Sequence, residues 1–257
     1  MFIFILKTII KIQLLAFLIG AFALPAQQAG SFKQAQLTNA KVKEAYNSKW
    51  DGLVADMKSK NIDPANFDVF VRAFKQEAEL EIWLKNKSSD AYIFFKKIPI
   101  CATSGVLGPK RKEGDLQVPE GIYEISVFNP NSDYFLAVKV NYPNASDKIL
   151  AKGPRPGGDI MIHGFCCTIG CIPLQNEPVK DLYILCVEAR NRKSPIRVEI
   201  YPCQLNSKKL ASLKETYSEE KINFWNNLEP AYSYFEKNKQ PVKYSIDKKG
   251  NYVYKEN

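Results

Sequence analysis

The chain has 257 residues, 46% of them hydrophobic and 25% charged, with a formal net charge of +9. That length suits one substantial domain with appendages or two small ones, and the balance is that of a globular protein rather than a disordered one. A basic chain is usually read as a nucleic-acid binder, but no compact Lys/Arg run with interleaved aromatics is present, so nucleic acid is not an expected partner.

The first segment, "MFIFILKTIIKIQLLAFLIGAFALPAQQ", places Lys7 and Lys11 ahead of an apolar run from Leu14 to Leu24, and small residues Ala21, Ala23 and Ala26 precede the polar sequence. This order is that of a secretory signal, with cleavage expected near Ala23 or Ala26. The run after Lys11 is short for a bilayer span, which takes about 20 apolar residues. A retained anchor is the alternative. Loss of Lys7 and Lys11 takes the charge from +9 to +7 (9 − 2), so the exported protein stays basic. An exported basic surface suits an anionic extracellular polymer such as a cell wall.

In "LTNAKVKEAYNSKWDGLVADMKSKNID", apolar Val42, Ala45, Trp50, Leu53, Val54 and Met57 recur at helical spacing, and the Asn61–Pro64 stretch ends the run. From Phe67 the texture turns to short β-rich runs, "DVFVRAFKQEAELEIWLKN" and "DAYIFFKKIPICATSG", parted by a polar turn at Lys87–Asp90. "QVPEGIYEISVFNP", "DYFLAVKVNYPN", "GGDIMIHG" and "PIRVEIYPC" continue the strand series. "EPVKDLYILCVEARNRK" reads as a helix with Pro178 in its first turn and basic residues at its end. After Cys203 come two helical stretches carrying an aromatic stripe (Phe224, Trp225, Tyr232, Phe235), expected to pack on a neighbouring face. A terminal hairpin follows, with its turn at Asp247–Asn251. The expected division is a signal over 1–26, an N-terminal helical segment over 27–66, a mostly β domain over 67–205 and a helical C-terminal extension over 206–257.

The chemistry concentrates in "HGFCCTIGC", residues 163–171, which holds the single histidine and three of six cysteines. His163 and Cys171 are eight positions apart, about 12 Å along a helix and more than twice that in extended chain. They meet only if the chain leaves the strand, turns and folds back, and Gly164 and Gly170 supply permissive backbone at both ends of that excursion. Three readings compete. A zinc site would use His163, Cys166, Cys167 and Cys171. Adjacent cysteines point to opposite faces of extended chain and no second ligand pair occurs elsewhere, so no metal is expected. A disulfide knot would pair two of the cysteines with each other or with Cys101, Cys186 or Cys203. It fits an exported chain, but leaves the histidine unexplained. A catalytic pair makes Cys171 the nucleophile and His163 its base, with a neighbouring imidazolium lowering the thiol pKa. Gly170 lets main-chain N–H groups approach a developing oxyanion, and Thr168 hydrogen-bonds within the loop. This third reading accounts for the lone histidine, because one base is all that acyl transfer by a thiol needs.

These residues carry a family resemblance. "IMIHGFCCTIGCIPL" resembles the H-G-…-[ST]-x-G-C motif of the L,D-transpeptidase (YkuD-type) catalytic domain, with a YafK-like branch nearest. "RAFKQEAELEIWLKN", "PICATSGVLGPKRKEGDLQVPEGIYEI", "NYPNASD" and "FWNNLEPAYSYFE" extend the likeness over roughly residues 67–240. The resemblance implies an α+β fold: a mostly β, β-sandwich-like catalytic domain with an N-terminal helix and a helical C-terminal extension. It implies an exported, periplasmic or extracytoplasmic cysteine acyltransferase without cofactor, acting on peptidoglycan stem peptides. Cys171 would form a thioester with a diaminopimelate unit, resolved by an amine or, in a same-fold amidase, by water. A wall-attached lipoprotein is a further possible partner. A non-catalytic wall-binding protein with a disulfide knot is the alternative from another class. His163 would be held by the Gly164 carbonyl, and Gly170 and Cys171 would give the oxyanion donors.

Two positions depart from the family pattern. Where many members carry a second histidine and an arginine, this chain has Ile169 and Pro173. Arg155 is the nearest upstream basic residue and becomes the candidate for a substrate carboxylate. Lys110, Arg111 and Lys112 are read as a solvated run or as contacts for an anionic peptide.

Overall fold

The computed structural model describes residues 31–255, so the signal-like segment 1–26 lies outside the described residues. Among the described residues no helix is long and apolar enough to cross a membrane.

The described residues open with two helices, α1 (Phe32–Leu37) and α2 (Ala40–Ser59). Asn39 separates them because its side chain accepts from the Lys41 and Val42 N–H groups and so caps α2. Val42, Ala45, Leu53 and Met57 make one buried stripe on α2, with Trp50 and Val54 packed at its edge. Asn61, at φ 57°, takes the left-handed conformation just past the helix end.

Strands β1 (Phe67–Phe74), β2 (Glu79–Asn86) and β3 (Ile93–Pro99) form an antiparallel meander. β4 (Gly121–Asn129), β5 (Ala137–Val140), a short α3 (Ala145–Ile149), β6 (Met161–His163) and β7 (Ile172–Pro173) follow. Then come α4 (Asn176–Asn191), β8 (Arg197–Tyr201), α5 (Ser207–Lys214) and α6 (Glu219–Asn238), and a closing hairpin of β9 (Lys243–Ile246) and β10 (Tyr252–Lys255). The class is α+β, as the sequence implied. One curled sheet of eight strands runs in the order β3-β2-β1-β8-β4-β5-β6-β7.

β1 explains the layering. Val69, Val71 and Ala73 share a core with α2 and α4, while Phe70 and Phe74 point the other way. There Phe70 meets Phe235 of α6 at 4.7 Å between ring centroids, and Phe74 lies near Tyr232 at 6.2 Å. A strand buried on both faces reads as a continuous apolar run, which is what "FDVFVRAF" is. Of its two charges, Asp68 pairs with Lys85 at 3.0 Å, and Arg72 is 2% exposed. It is paired with Glu236 at 2.7 Å and ringed by Phe74, Tyr232 and Phe235. The aromatic stripe of α6 is thus what covers the second face of the sheet.

The Lys110–Lys112 run departs from the solvated reading. Lys110 and Arg111 are buried and only Lys112 is exposed. Lys110 pairs with Asp115 at 2.5 Å, and Arg111 pairs with Asp147 at 3.2 Å. Asp147 also accepts from the Tyr123 hydroxyl at 3.0 Å and caps α3 through the Asn144 N–H. Partners five and 36 residues away keep these charges inside.

Candidate active site

Two adjacent short strands carry the site. β6 and β7 pair in parallel with Ile162 opposite Ile172 and His163 opposite Pro173. Alternation sends Ile162 and Ile172 into the core. One residue back along β7, Cys171 lies across from Met161, so its side chain shares a face with that of His163. Ladder spacing places the two Cα atoms roughly 8 Å apart. The strand–loop–strand return that the glycines predicted is therefore present.

His163 is 2% exposed. Its Nδ1 lies against the Gly164 carbonyl in a very short contact, and its ring packs on Tyr134 with centroids 4.8 Å apart. A carbonyl can only accept, so Nδ1 carries the proton and Nε2 keeps its lone pair. Burial holds the imidazole pKa below 6.5, partly opposed by the bond to Gly164. Gly164 has no room for a side chain: an added Cβ would lie 2.7 Å from Asn176 Oδ1 and 3.0 Å from the Tyr134 carbonyl. That same Asn176 Oδ1, in the first turn of α4, accepts from the Phe165 N–H at 2.9 Å and fixes the start of the loop.

Cys171 is half-buried and carries a free thiol. Its Sγ accepts from the Met161 N–H at 3.4 Å and points at the Asp159 carbonyl at 3.7 Å. Burial raises the thiol pKa, the Met161 N–H opposes it, and the Asp159 charge adds to the rise, with Cys167 and Lys110 as lesser influences. The sequence reading expected an imidazolium to lower this pKa. The structure differs because the buried ring is neutral and burial of the thiol outweighs one N–H donor. Both shifts favour the uncharged forms, thiol and imidazole, in the resting pair. No hydrogen bond joins them among the described contacts.

Thr168 stabilises the turn into Cys171: its hydroxyl donates to the Cys171 carbonyl at 2.7 Å and accepts from the Gly170 N–H at 3.0 Å. Gly170 sits at φ 140°, which L side chains rarely adopt, and an added Cβ would lie 3.1 Å from the Gln117 carbonyl. Cys166 is bonded to Cys101, with Cα atoms 5.6 Å apart, while Cys167 is exposed and free. Cys186 and Cys203 are buried free thiols. Arg155 is not brought to the pair: its side chain is 79% exposed beside Glu113, at 3.3 Å. Ile169 projects into solvent, 77% exposed.

Sequence reasoning missed Tyr134, Asn176, Gln117 and Asp159, which reach the site from separate segments and carry no local signal. A cleft of about 530 Å³ lies elsewhere, between Arg111, Lys221 and Phe224, and includes neither Cys171 nor His163.

The two shifts set an expected pH profile. With Cys171 as nucleophile and His163 as base, attack would need a neutral imidazole, whose pKa is lowered, so kcat/KM would fall in acid with a midpoint below 6.5. The raised thiol pKa places the alkaline rise in Cys171 alkylation above the ordinary thiol value. Titrating both rates against pH checks this; an acid midpoint above 6.5, or a thiolate at neutral pH, would contradict it.

A profile of the L,D-transpeptidase catalytic domain matches residues 75–200, a span that includes His163 and Cys171. The chain is 34% identical over 188 residues to the "Putative L,D-transpeptidase YafK" of Escherichia coli (strain K12), covering 72% of this chain and 73% of that one. YafK of Escherichia coli O157:H7 matches with the same identity and coverage. Among solved structures, the helical cell shape determining protein Pgp2 from Campylobacter jejuni superposes with a TM-score of 0.44 at 20% identity, over 71% of this chain and 74% of that one. Bdellovibrio bacteriovorus Bd1075 gives 0.38 at 16%, over 74% and 78%.

Proposed function

The chain belongs to the L,D-transpeptidase catalytic-domain family, whose function is peptidoglycan-related, and on that premise we propose that it is a Cys171–His163 acyltransferase acting on stem peptides outside the cytoplasm. One observation carries the reading. The Gly164 carbonyl holds the His163 proton on Nδ1, so the free Nε2 lone pair is the base available to the thiol on the same face.

His163 Nε2 takes the thiol proton as Sγ attacks the carbonyl carbon of a diaminopimelate-containing stem peptide. The S–C bond forms, the C–N bond breaks, and the leaving amine takes the proton back from His163. An acceptor amine or water then resolves the thioester. The Gly170 N–H is engaged by Thr168, so the reading relies on the Cys171 N–H as the main-chain donor to the oxyanion, with Gly170 joining only when Thr168 releases it. The bond between Cys101 and Cys166 leaves Cys171 unpaired, which favours catalysis over a wall-binding knot. Arg155 is a weak candidate for a substrate carboxylate, given its exposure. The N-terminal segment would direct export, and the basic surface suits an anionic wall.

Incubation with tetrapeptide muropeptides, with and without a second stem peptide as amine donor, tests the outcome. Cross-linked products that depend on the amine support transpeptidation; shortened or released products independent of it support the amidase alternative. Unchanged muropeptides in both arms would overturn the reading.

A further inference from the structure

The twenty residues from Cys101 to Glu120 contain no helix and no strand, yet they border the site, with Ala102, Thr103 and Val118 lining a narrow cavity together with Cys171. Their Gln117 carbonyl lies against Gly170, close enough that a Cβ there would meet it at 3.1 Å. A segment of this length without regular structure must be held by side chains.

The holding group is buried and charged. Lys75, just after β1, has its Nζ 3.1 Å from the Val106 carbonyl, 2.8 Å from that of Gly108, 3.0 Å from that of Val118 and 2.9 Å from Glu120 Oε1. Glu120 is fully buried. Its Oε1 also accepts from the Gly108 N–H at 2.7 Å, and its Oε2 accepts from Trp225 Nε1 at 2.7 Å. Trp225 is a fully buried residue of α6. Lys75 and Val118 also wall the narrow cavity behind Cys171. The contacts therefore run from α6, through Glu120 and Lys75, to Val118, then to Gln117 and Gly170 beside the thiol.

We propose that Lys75 and Glu120 are positioning residues that fix the 101–120 roof over Cys171, and that α6, through Trp225, is a working part of the site. This rests on the reading of Cys171 as nucleophile. A buried ion pair with both carboxylate oxygens hydrogen-bonded is costly to disturb and has a narrow geometry, which suits a part that must hold a loop in one place. No side chain of this relay touches the reacting atoms.

The test compares two changes that each loosen α6 from the sheet. Trp225→Phe removes the N–H that Glu120 accepts and leaves a smaller ring in a buried site; Glu236→Gln weakens the Arg72 pair, which does not reach the roof. Each variant is measured for melting temperature, muropeptide turnover and the rate of Cys171 alkylation by iodoacetamide. Trp225→Phe is expected to cut kcat about tenfold or more while alkylation speeds up severalfold, because a loosened roof uncovers the thiol. Glu236→Gln is expected to lower the melting temperature and leave both rates near wild type. Equal behaviour of the two variants, or an unchanged alkylation rate in Trp225→Phe, would overturn the proposal. Glu120→Gln provides a second reading at the centre of the relay, with the same split expected in its folded fraction. Alkylation reads the roof whether or not Cys171 is the nucleophile. Muropeptide turnover that survived Cys171→Ala would sink the mechanism alone.

Discussion

Cys171→Ala is expected to reduce muropeptide turnover on the order of 10⁴-fold or more, since loss of a covalent nucleophile removes the acyl-enzyme route altogether. The fold should be little affected. Cys171 is half-buried, its thiol makes one long contact with Met161 and one with Asp159, and the turn is held by Thr168 through main-chain atoms that Ala retains. Turnover by the purified variant, with its melting temperature measured beside it, checks both halves. Activity within tenfold of wild type would remove Cys171 from the mechanism.

His163→Ala is the second large loss, about 10²- to 10⁴-fold, the usual contribution of a positioned base. Here the direction of the pKa shifts adds a distinguishing feature. The thiol is protonated at neutral pH because burial raises its pKa, so turnover depends on a base to remove the proton during attack. Raising the pH supplies thiolate directly. The variant should therefore recover part of its activity in alkali, and the acid limb assigned to the imidazole should vanish from its profile. Alkylation of Cys171 by iodoacetamide should change far less than turnover. A profile in His163→Ala that kept the wild-type acid limb would assign that limb to another group.

Legibility in the sequence followed the range of the interactions. Helices α2 and α6 were readable because their apolar or aromatic stripes repeat within the element, α4 because Pro178 and the basic residues mark its two ends, and the closing hairpin because Asp247–Asn251 is a local turn. β1 was readable as strand from its composition, since both faces are buried. What determines the site is mostly non-local. β7 is two residues long and exists because β6 lies beside it. Cys171, just before it, and His163 could be paired from sequence only by requiring a return of the chain, which Gly164 and Gly170 signalled. The Cys101–Cys166 bond spans 65 residues, and spacing alone left several pairings open. Lys110 and Arg111 looked like a solvated run because Asp115 and Asp147, which neutralise them, carry no local mark. Lys75, Glu120 and Trp225 come from three elements and were invisible for the same reason. Arg155 was chosen for proximity in sequence, and the loop that carries it turns it outward.

The most direct test of the central claim is mass spectrometry of the protein after incubation with tetrapeptide muropeptides, with Cys171→Ala as the control. The account predicts a stem-peptide adduct on Cys171, labile to hydroxylamine as a thioester, and no adduct on the control. Turnover without any adduct on Cys171, or Cys171 recovered in a disulfide, would contradict it.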